Sequence, residues 1–244
     1  MDGAFEAIRS VHQCMSVRER DSDVMRINAS ATGVAVMVDA STAEVLRMAK
    51  VIERETEGAF NVCFAGAGRA EGGLPGVAGG IEIAGRWVTR RAPVTIDLGG
   101  IAKGYAVDRA VAVLQASGAR SGWVNAGGDT RFFGDASRPL TIRHPHAPDR
   151  AVTVASMVNC AAATSYFGSR PDCLADGTLI DGRSGETVRS GLVTVIAPDC
   201  MRADALTKVA ALLGDAANAI LHRYGAEALW LPEPEPMQLV AAAA

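Results

Sequence analysis

The chain has 244 residues, of which 49% are hydrophobic and 21% charged, with a formal net charge of −3. That balance supports a sizeable core and argues against a globally disordered chain. It also offers no basic field for nucleic acid or an anionic membrane surface. The cysteines (Cys14, Cys63, Cys160, Cys173 and Cys200) are odd in number and contain no C-x-x-C pair, which argues against a disulfide framework and a structural zinc site. No apolar run is long enough to span a membrane. The first residues lack the basic-then-apolar order of a signal peptide, so the sequence reads as soluble and cytoplasmic.

In chain order, residues 4–15 place Phe5, Ile8, Val11, His12 and Met15 on one helical face. Residues 33–38 form a short apolar run read as a strand. Ser41 and Glu44 read as a capping box before a helical stripe of Val45, Met48, Ala49 and Ile52 that ends near Gly58. Glycine is dense between Asn61 and Gly80, which predicts a long irregular connection. Residues 81–89 read as a hairpin turning at Ala84-Gly85. A strand at 94–97 then meets a Gly99-Gly100 turn and a helix from Ile101 to Ser117, with Val107, Ala110, Val111 and Leu114 on one face and Gly118 at its C-cap. Strands are expected at 122–126, 130–134, 139–143, 151–157, 191–196 and 227–231, and helices at 201–213 and 215–224. Together these define one α+β domain over residues 1–231, with mixed and antiparallel sheets packed by helices. A loose tail with the PEPEP run follows at 232–244.

Three segments carry candidate chemistry. In Asp97-Leu98-Gly99-Gly100-Ile101-Ala102-Lys103-Gly104-Tyr105-Ala106-Val107-Asp108, a glycine pair lies between strand and helix, and Lys103 follows in the first helical turn. Bare backbone and unpaired helix N–H groups there can receive a phosphate, although an ordinary tight turn has the same look. Val124-Asn125-Ala126-Gly127-Gly128-Asp129 places a second glycine pair at a strand end, which reads as a hairpin or bulge. In Ala203-Asp204-Ala205-Leu206-Thr207-Lys208, Asp204 is expected in the first helical turn, either compensating the helix dipole or ligating a hard cation. Lys208 shares its face four residues on, as a surface ion pair or as a charge in place of a metal. His144-Pro145-His146 lacks an evident third metal ligand.

These three segments, in this order, resemble the ApbE family of FAD:protein FMN transferases, whose pattern is D-L-G-G-I-A-K-G-Y-A-V-D, then N-x-G-G-D, then A-D-A-L-x-T. Weaker similarity runs through residues 15–28, Glu57-Gly58-Ala59-Phe60, Thr164-Ser165 and Leu179–Gly185. The resemblance implies a T-fold-related α+β fold. It implies an enzyme that binds FAD with Mg²⁺ and joins FMN to a Thr or Ser hydroxyl of an acceptor protein, releasing AMP. By position, Arg18, Ala59, Phe60, Asn61, Asp97, Lys103 and Ile180 would line the FAD site. Gly100, Ala102, Asp204 and Lys208 would face the metal, and Thr178 and Asp204 would stand at the catalytic positions.

The departures from the pattern are specific. Arg18 stands for the family's tyrosine, Asn61 and Val62 for its Asp-Pro, Thr178 for a histidine, and Lys208 for a metal-binding threonine. The family pattern also includes one or two strands before the point where this chain begins. Mg²⁺ is therefore expected to bind weakly or not at all, and activity to be reduced. The alternative is a non-catalytic flavin- or nucleotide-binding relative.

Overall fold

The computed structural model describes residues 2–65, 76, 78–144, 147–167, 179–188 and 191–231. The predicted tail at 232–244, most of the 61–80 connection, Thr178 and the Pro145-His146 pair lie outside these residues. The first helix, α1 (Asp2–Met15), buries Ala4, Val11 and Met15, with Ile8 half-buried beside them. The buried stripe is therefore rotated from the predicted one. Phe5 is 64% exposed and His12 lies on the solvent side.

After α1 come α2 (Asp23–Ala29), β1 (Ala35–Met37), α3 (Ala40–Glu55), β2 (Cys63–Ala65), β3 (Ile81–Ala84), β4 (Trp87–Arg90) and β5 (Val94–Ile96). Strands β1, β4 and β3 pair in that order, and β2 pairs with β5, all antiparallel. The β3–β4 hairpin closes where Ala84 faces Trp87, around Gly85-Arg86, and Gly85 takes φ 61°. Asp39, not a Ser41–Glu44 box, caps α3, its carboxylate accepting from Ser41 N at 2.8 Å. Glu44 instead accepts from the Tyr105 hydroxyl at 2.8 Å.

The segment around residues 15–28 acts as a brace. Ser22 caps α2, and Asp23 accepts from Asp39 N and Thr42 Oγ1, each at 2.7 Å. The Asn28 side chain gives its N–H to Ile96 O at 2.9 Å and accepts from Ile96 N at 2.8 Å. Its amide thereby continues the β5 ladder where a neighbouring strand would.

The rest of the chain builds α4 (Ala102–Ala116), β6 (Gly122–Ala126), β7 (Asp129–Phe133), β8 (Arg138–His144), β9 (Ala147–Met157), β10 (Ala161–Phe167), β11 (Gly191–Ala197), α5 (Cys200–Leu213), α6 (Asn218–Arg223) and β12 (Glu227–Leu231). A five-stranded antiparallel sheet runs β12-β11-β10-β7-β6. Side-chain alternation decides its faces. Ala161, Ala163, Phe167, Val193, Val195 and Ala197 join the main core under α4 and α5. Phe132, Ala162 and Leu192 point the other way and meet Leu140, Ile142 and Met157 of the β8–β9 hairpin. Both faces are covered, which is why β11 reads as a continuous apolar run. Among the described residues no helix is long and apolar enough to cross a membrane.

Helices α4 and α5 meet at Gly104, where a Cβ would stand 2.0 Å from the Cys200 carbonyl oxygen. Only glycine permits that approach, and the contact lets α4 cap α5. Asp108 accepts from Cys200 N at 2.9 Å and Met201 N at 2.8 Å, while Asp199 takes Arg202 N at 2.9 Å. Three orphan N–H groups of α5 are thereby satisfied by carboxylates that also suit its dipole.

Burial raises the Asp108 carboxyl from its ordinary 3.8 to about 6, with Asp199 adding to the shift, against the lowering effect of its backbone donors and Arg131. Between about pH 4 and pH 6 the folded state thus holds a proton that the unfolded state has released, and stability falls as pH rises through this window on account of this group. In Asp108→Asn that contribution is gone, while one side-chain oxygen still accepts from the helix. Urea denaturation across pH 4–6 is expected to show variant stability minus wild-type stability rising with pH. A flat or falling difference would contradict the assignment.

Candidate functional site

The loop before α4 is fixed from both sides. Asp97 donates its backbone N–H to Val62 O at 3.0 Å, and its carboxylate accepts from Gly99 N at 2.8 Å. Leu98 and Ile101 are fully buried and anchor the turn in the core. Gly100 is held with its bare Cα toward two side chains. A Cβ there would lie 3.6 Å from Lys208 Cε and 3.8 Å from the Phe60 ring. Phe60 and Ala59 are buried at the end of α3, and Ala59 O accepts from Gly182 N at 2.9 Å.

Helix α4 has no side-chain cap of its own, because Ile101 occupies its N-cap position. Asp204 of α5 supplies one, with Oδ2 accepting from Gly104 N at 3.1 Å. The helices therefore cap each other, α5 through Asp108 and α4 through Asp204. Asp204 lies past the first turn of α5, which begins at Cys200, so the predicted first-turn placement is corrected. Its partner is the dipole of the neighbouring helix, not of its own.

Around Asp204 the charges form a closed group. Lys103 gives an N–H to Asp129 Oδ2 at 2.7 Å and another to Asp204 Oδ1 at 3.2 Å. Lys208 bonds the same Asp204 Oδ1, and also Asp204 O at 3.0 Å and Ser165 Oγ at 3.1 Å. Thr207 gives its hydroxyl proton to Asp204 O at 2.7 Å and accepts from Ser165 Oγ at 2.7 Å. Asp129 and Asp204 are 0% exposed and Lys208 is 8% exposed, whereas the Lys103 side chain is 51% exposed. The Asp204–Lys208 pair is thus a buried interaction, and the surface-pair reading of Lys208 is corrected. Lys103 alone of the four reaches well into solvent.

The group sets its own protonation. Burial opposes charge on Lys103, but Asp204 and Asp129 outweigh it and hold the ammonium above its ordinary pKa. Burial likewise opposes charge on Asp204, and Lys208 with Lys103 overcomes it, holding this carboxyl below its ordinary range. Asp129 goes the other way. Burial and the neighbouring Asp204 push it up, against both lysines, and its Oδ1 is buried without a hydrogen-bond partner among the described residues.

Of the residues singled out in the sequence, the structure brings Phe60, Gly100, Lys103, Asp204 and Lys208 into one neighbourhood, with Ala102 opening α4 beside them. Asn61 adjoins it and accepts from Cys63 N at 2.8 Å, and Ile180 bridges Thr187 in the segment leaned on Ala59. Arg18 sits exposed in the turn between α1 and α2, its backbone N–H on Ser16 Oγ. Thr178 lies outside the described residues. Asp129 and Ser165 belong to the group although the sequence names them only within their motifs and assigns neither a site role. Gly127 and Gly128, both at positive φ, close a two-residue hairpin between Ala126 and Asp129. Asp129 thereby starts β7 on the face that Arg131 shares, opposite Lys103 and Asp108 of α4. The strand predicted from residue 130 leaves that pairing out.

Fold and site together define an α+β domain in which paired lysines and paired aspartates gather at a helix–helix crossing. The profile of the ApbE family matches residues 1–230, and the chain belongs to that family. An FAD:protein FMN transferase of Vibrio cholerae is 27% identical over 241 residues, covering 85% of this chain and 71% of that protein. One of Treponema pallidum is 25% identical over 276 residues, covering 95% and 76%. Among solved structures, the flavin transferase ApbE from Vibrio cholerae matches with a TM-score of 0.78 at 24% identity, over 96% of this chain and 84% of that one. The ApbE protein of Thermotoga maritima matches with a TM-score of 0.74 at 25% identity, over 94% and 84%.

Breaking one partner of a buried ion pair costs about 3–5 kcal/mol, because the other charge is stranded. Asp204→Asn is expected to destabilise by that order in urea titrations, and Lys208→Met by less, since Lys103 still faces Asp204. The double variant should be more stable than the sum of the single losses predicts. Additivity within about 0.5 kcal/mol would contradict a coupled pair.

Proposed function

We propose that this chain transfers FMN from FAD to a threonine or serine hydroxyl of an acceptor protein and releases AMP, more slowly than relatives with the full motif set. Family membership and the activity named for its curated relatives support the reading. The feature of the site that carries it is Lys103. Its side chain is half-exposed in the first turn of α4, behind a bare glycine turn, and its ammonium uses only two of its three N–H groups among the described residues. That is a suitable post for a phosphate oxygen.

In the transfer, the acceptor oxygen attacks the phosphorus of the FMN half of FAD. A new P–O ester bond forms as the P–O bond bridging to the AMP phosphate breaks. The AMP phosphate leaves with the electron pair, and the hydroxyl proton passes to a base or to solvent. Asp97 orders the glycine turn, and Ala59, Phe60, Asn61, Ile180 and Arg18 are assigned to the flavin and nucleotide walls. Thr178 stands where the family pattern has histidine, and a hydroxyl cannot exchange protons near neutral pH as an imidazole does.

A magnesium ion, which the family resemblance implies, does not fit these residues. Asp204 Oδ1 already accepts from both ammoniums, Oδ2 from Gly104 N, and its carbonyl from Thr207 and Lys208. The Lys208 ammonium has no lone pair to offer and repels a cation. Mg²⁺ binding at Asp204 is accordingly weak or absent. The same engagement of Lys208 favours a second reading, a non-catalytic flavin- or nucleotide-binding relative.

Mass spectrometry of an acceptor carrying a D-x-x-[ST]-G-A-[ST] segment, after incubation with FAD, separates the two. The first reading expects an FMN adduct, formed about 10²–10⁴-fold more slowly than by a family member that keeps the histidine. FAD binding without any adduct would favour the second. An adduct formed at the full rate would show that Thr178 and Lys208 do not limit the reaction.

A further inference from the structure

The misfit between magnesium and these residues has a constructive side. Asp129 and Asp204 contribute two negative charges, and Lys103 and Lys208 two positive ones, within one buried group. Each N–H of Lys208 has an acceptor in the protein: Asp204 Oδ1, Asp204 O and Ser165 Oγ. Its stem lies under Gly100, within van der Waals reach of the position a Cβ would take. Lys208 is therefore a fixed cation built into the floor of the glycine turn, not a mobile arm. Lys103 sits on the same carboxylate and is half-exposed, with an N–H to spare among the described residues.

The division of labour follows from the donors. Lys208 neutralises Asp204, so that Lys103, although it bonds both buried carboxylates, is not their only counter-charge and, among the described residues, keeps an N–H for a further acceptor. If position 208 held a neutral threonine, the group would carry a net negative charge. An anionic ligand could then enter only together with a cation. With lysine the group closes at neutrality without one, and a divalent ion added to it would meet two ammoniums in a poorly solvated place.

We infer that this chain binds the pyrophosphate of its dinucleotide without a divalent cation, Lys208 serving as the built-in counter-charge and Lys103 as the contact to a phosphate oxygen. The inference rests on the flavin-transferase reading and specifies how that substrate is held. Lys208 is a positioning residue here and Lys103 a binding one.

Binding of FAD, followed by flavin fluorescence and calorimetry, tests this with the wild-type chain in EDTA and in excess MgCl₂. The expected result is an affinity that differs by less than about threefold between the two, since no metal is linked to the ligand. Lys208→Thr, checked for folding by circular dichroism, should lose about tenfold or more in EDTA and recover in MgCl₂, because the uncompensated carboxylate then recruits the ion. Lys103→Met should weaken FAD in both buffers. Wild-type binding that requires MgCl₂ would overturn the inference and leave the flavin reading standing. No FAD binding by the wild type in either buffer would overturn both. The wild-type comparison decides the matter even if Lys208→Thr does not fold.

Discussion

The contact on which the rest depends is the crossing of α4 and α5 at Gly104. A side chain there would overlap the Cys200 carbonyl, and the bare Cα instead lets two helix starts lie within reach of each other's carboxylates. Asp108 caps α5 through Cys200 N and Met201 N, and Asp204 caps α4 through Gly104 N. The glycine turn, Lys103 and Asp108 belong to one uninterrupted stretch because they serve one geometry. The turn delivers the helix, the glycine inside the helix sets the crossing, and the aspartate one turn on fastens it.

That crossing also concentrates charge. Asp204 must be ionised to cap α4 well, and it is fully buried, so cations have to stand beside it. Lys103 and Lys208 fill that need from the two helices, and β7 adds Asp129 from the sheet. Small residues on β10, Ala161 and Ala163 in the core and Ser165 beside them, let α5 lie close enough for Ser165 to hold the Lys208 ammonium. The lysine is thus over-determined by three acceptors, which is the property of a structural charge and not of a surface pair.

Much of this was legible in the sequence, for identifiable reasons. The helices at 40–55 and 102–116 follow from apolar spacing, the β3–β4 hairpin from its glycine, and β6, β11 and β12 from short apolar runs between turn residues. Strand β10 was missed because Ala161-Ala162-Ala163-Thr164-Ser165 carries little strand signal. Its pairing with β7 and β11 on its two edges decides the conformation, and propensity does not. Ser41 and Glu44 have the spacing of a capping box, yet Asp39 is nearer and Glu44 is drawn off by Tyr105. The convergence of the Asp97–Asp108 turn with Asp204 and Lys208 was expected from the resemblance. What sequence alone could not supply was burial. An i,i+4 Asp–Lys pair looks the same on a surface as at a helix crossing, and only the close approach at Gly104 tells them apart.

The central claim is that the Lys208 ammonium occupies the place beside Asp204 that a metal would otherwise take. Crystals of the wild-type chain soaked in MnCl₂, with diffraction data collected at the manganese absorption edge, address it most directly. The account predicts no anomalous peak at Asp204, with Lys208 Nζ within hydrogen-bond distance of its carboxylate and of Ser165. A manganese peak coordinated by Asp204, with Lys208 swung away, would contradict it.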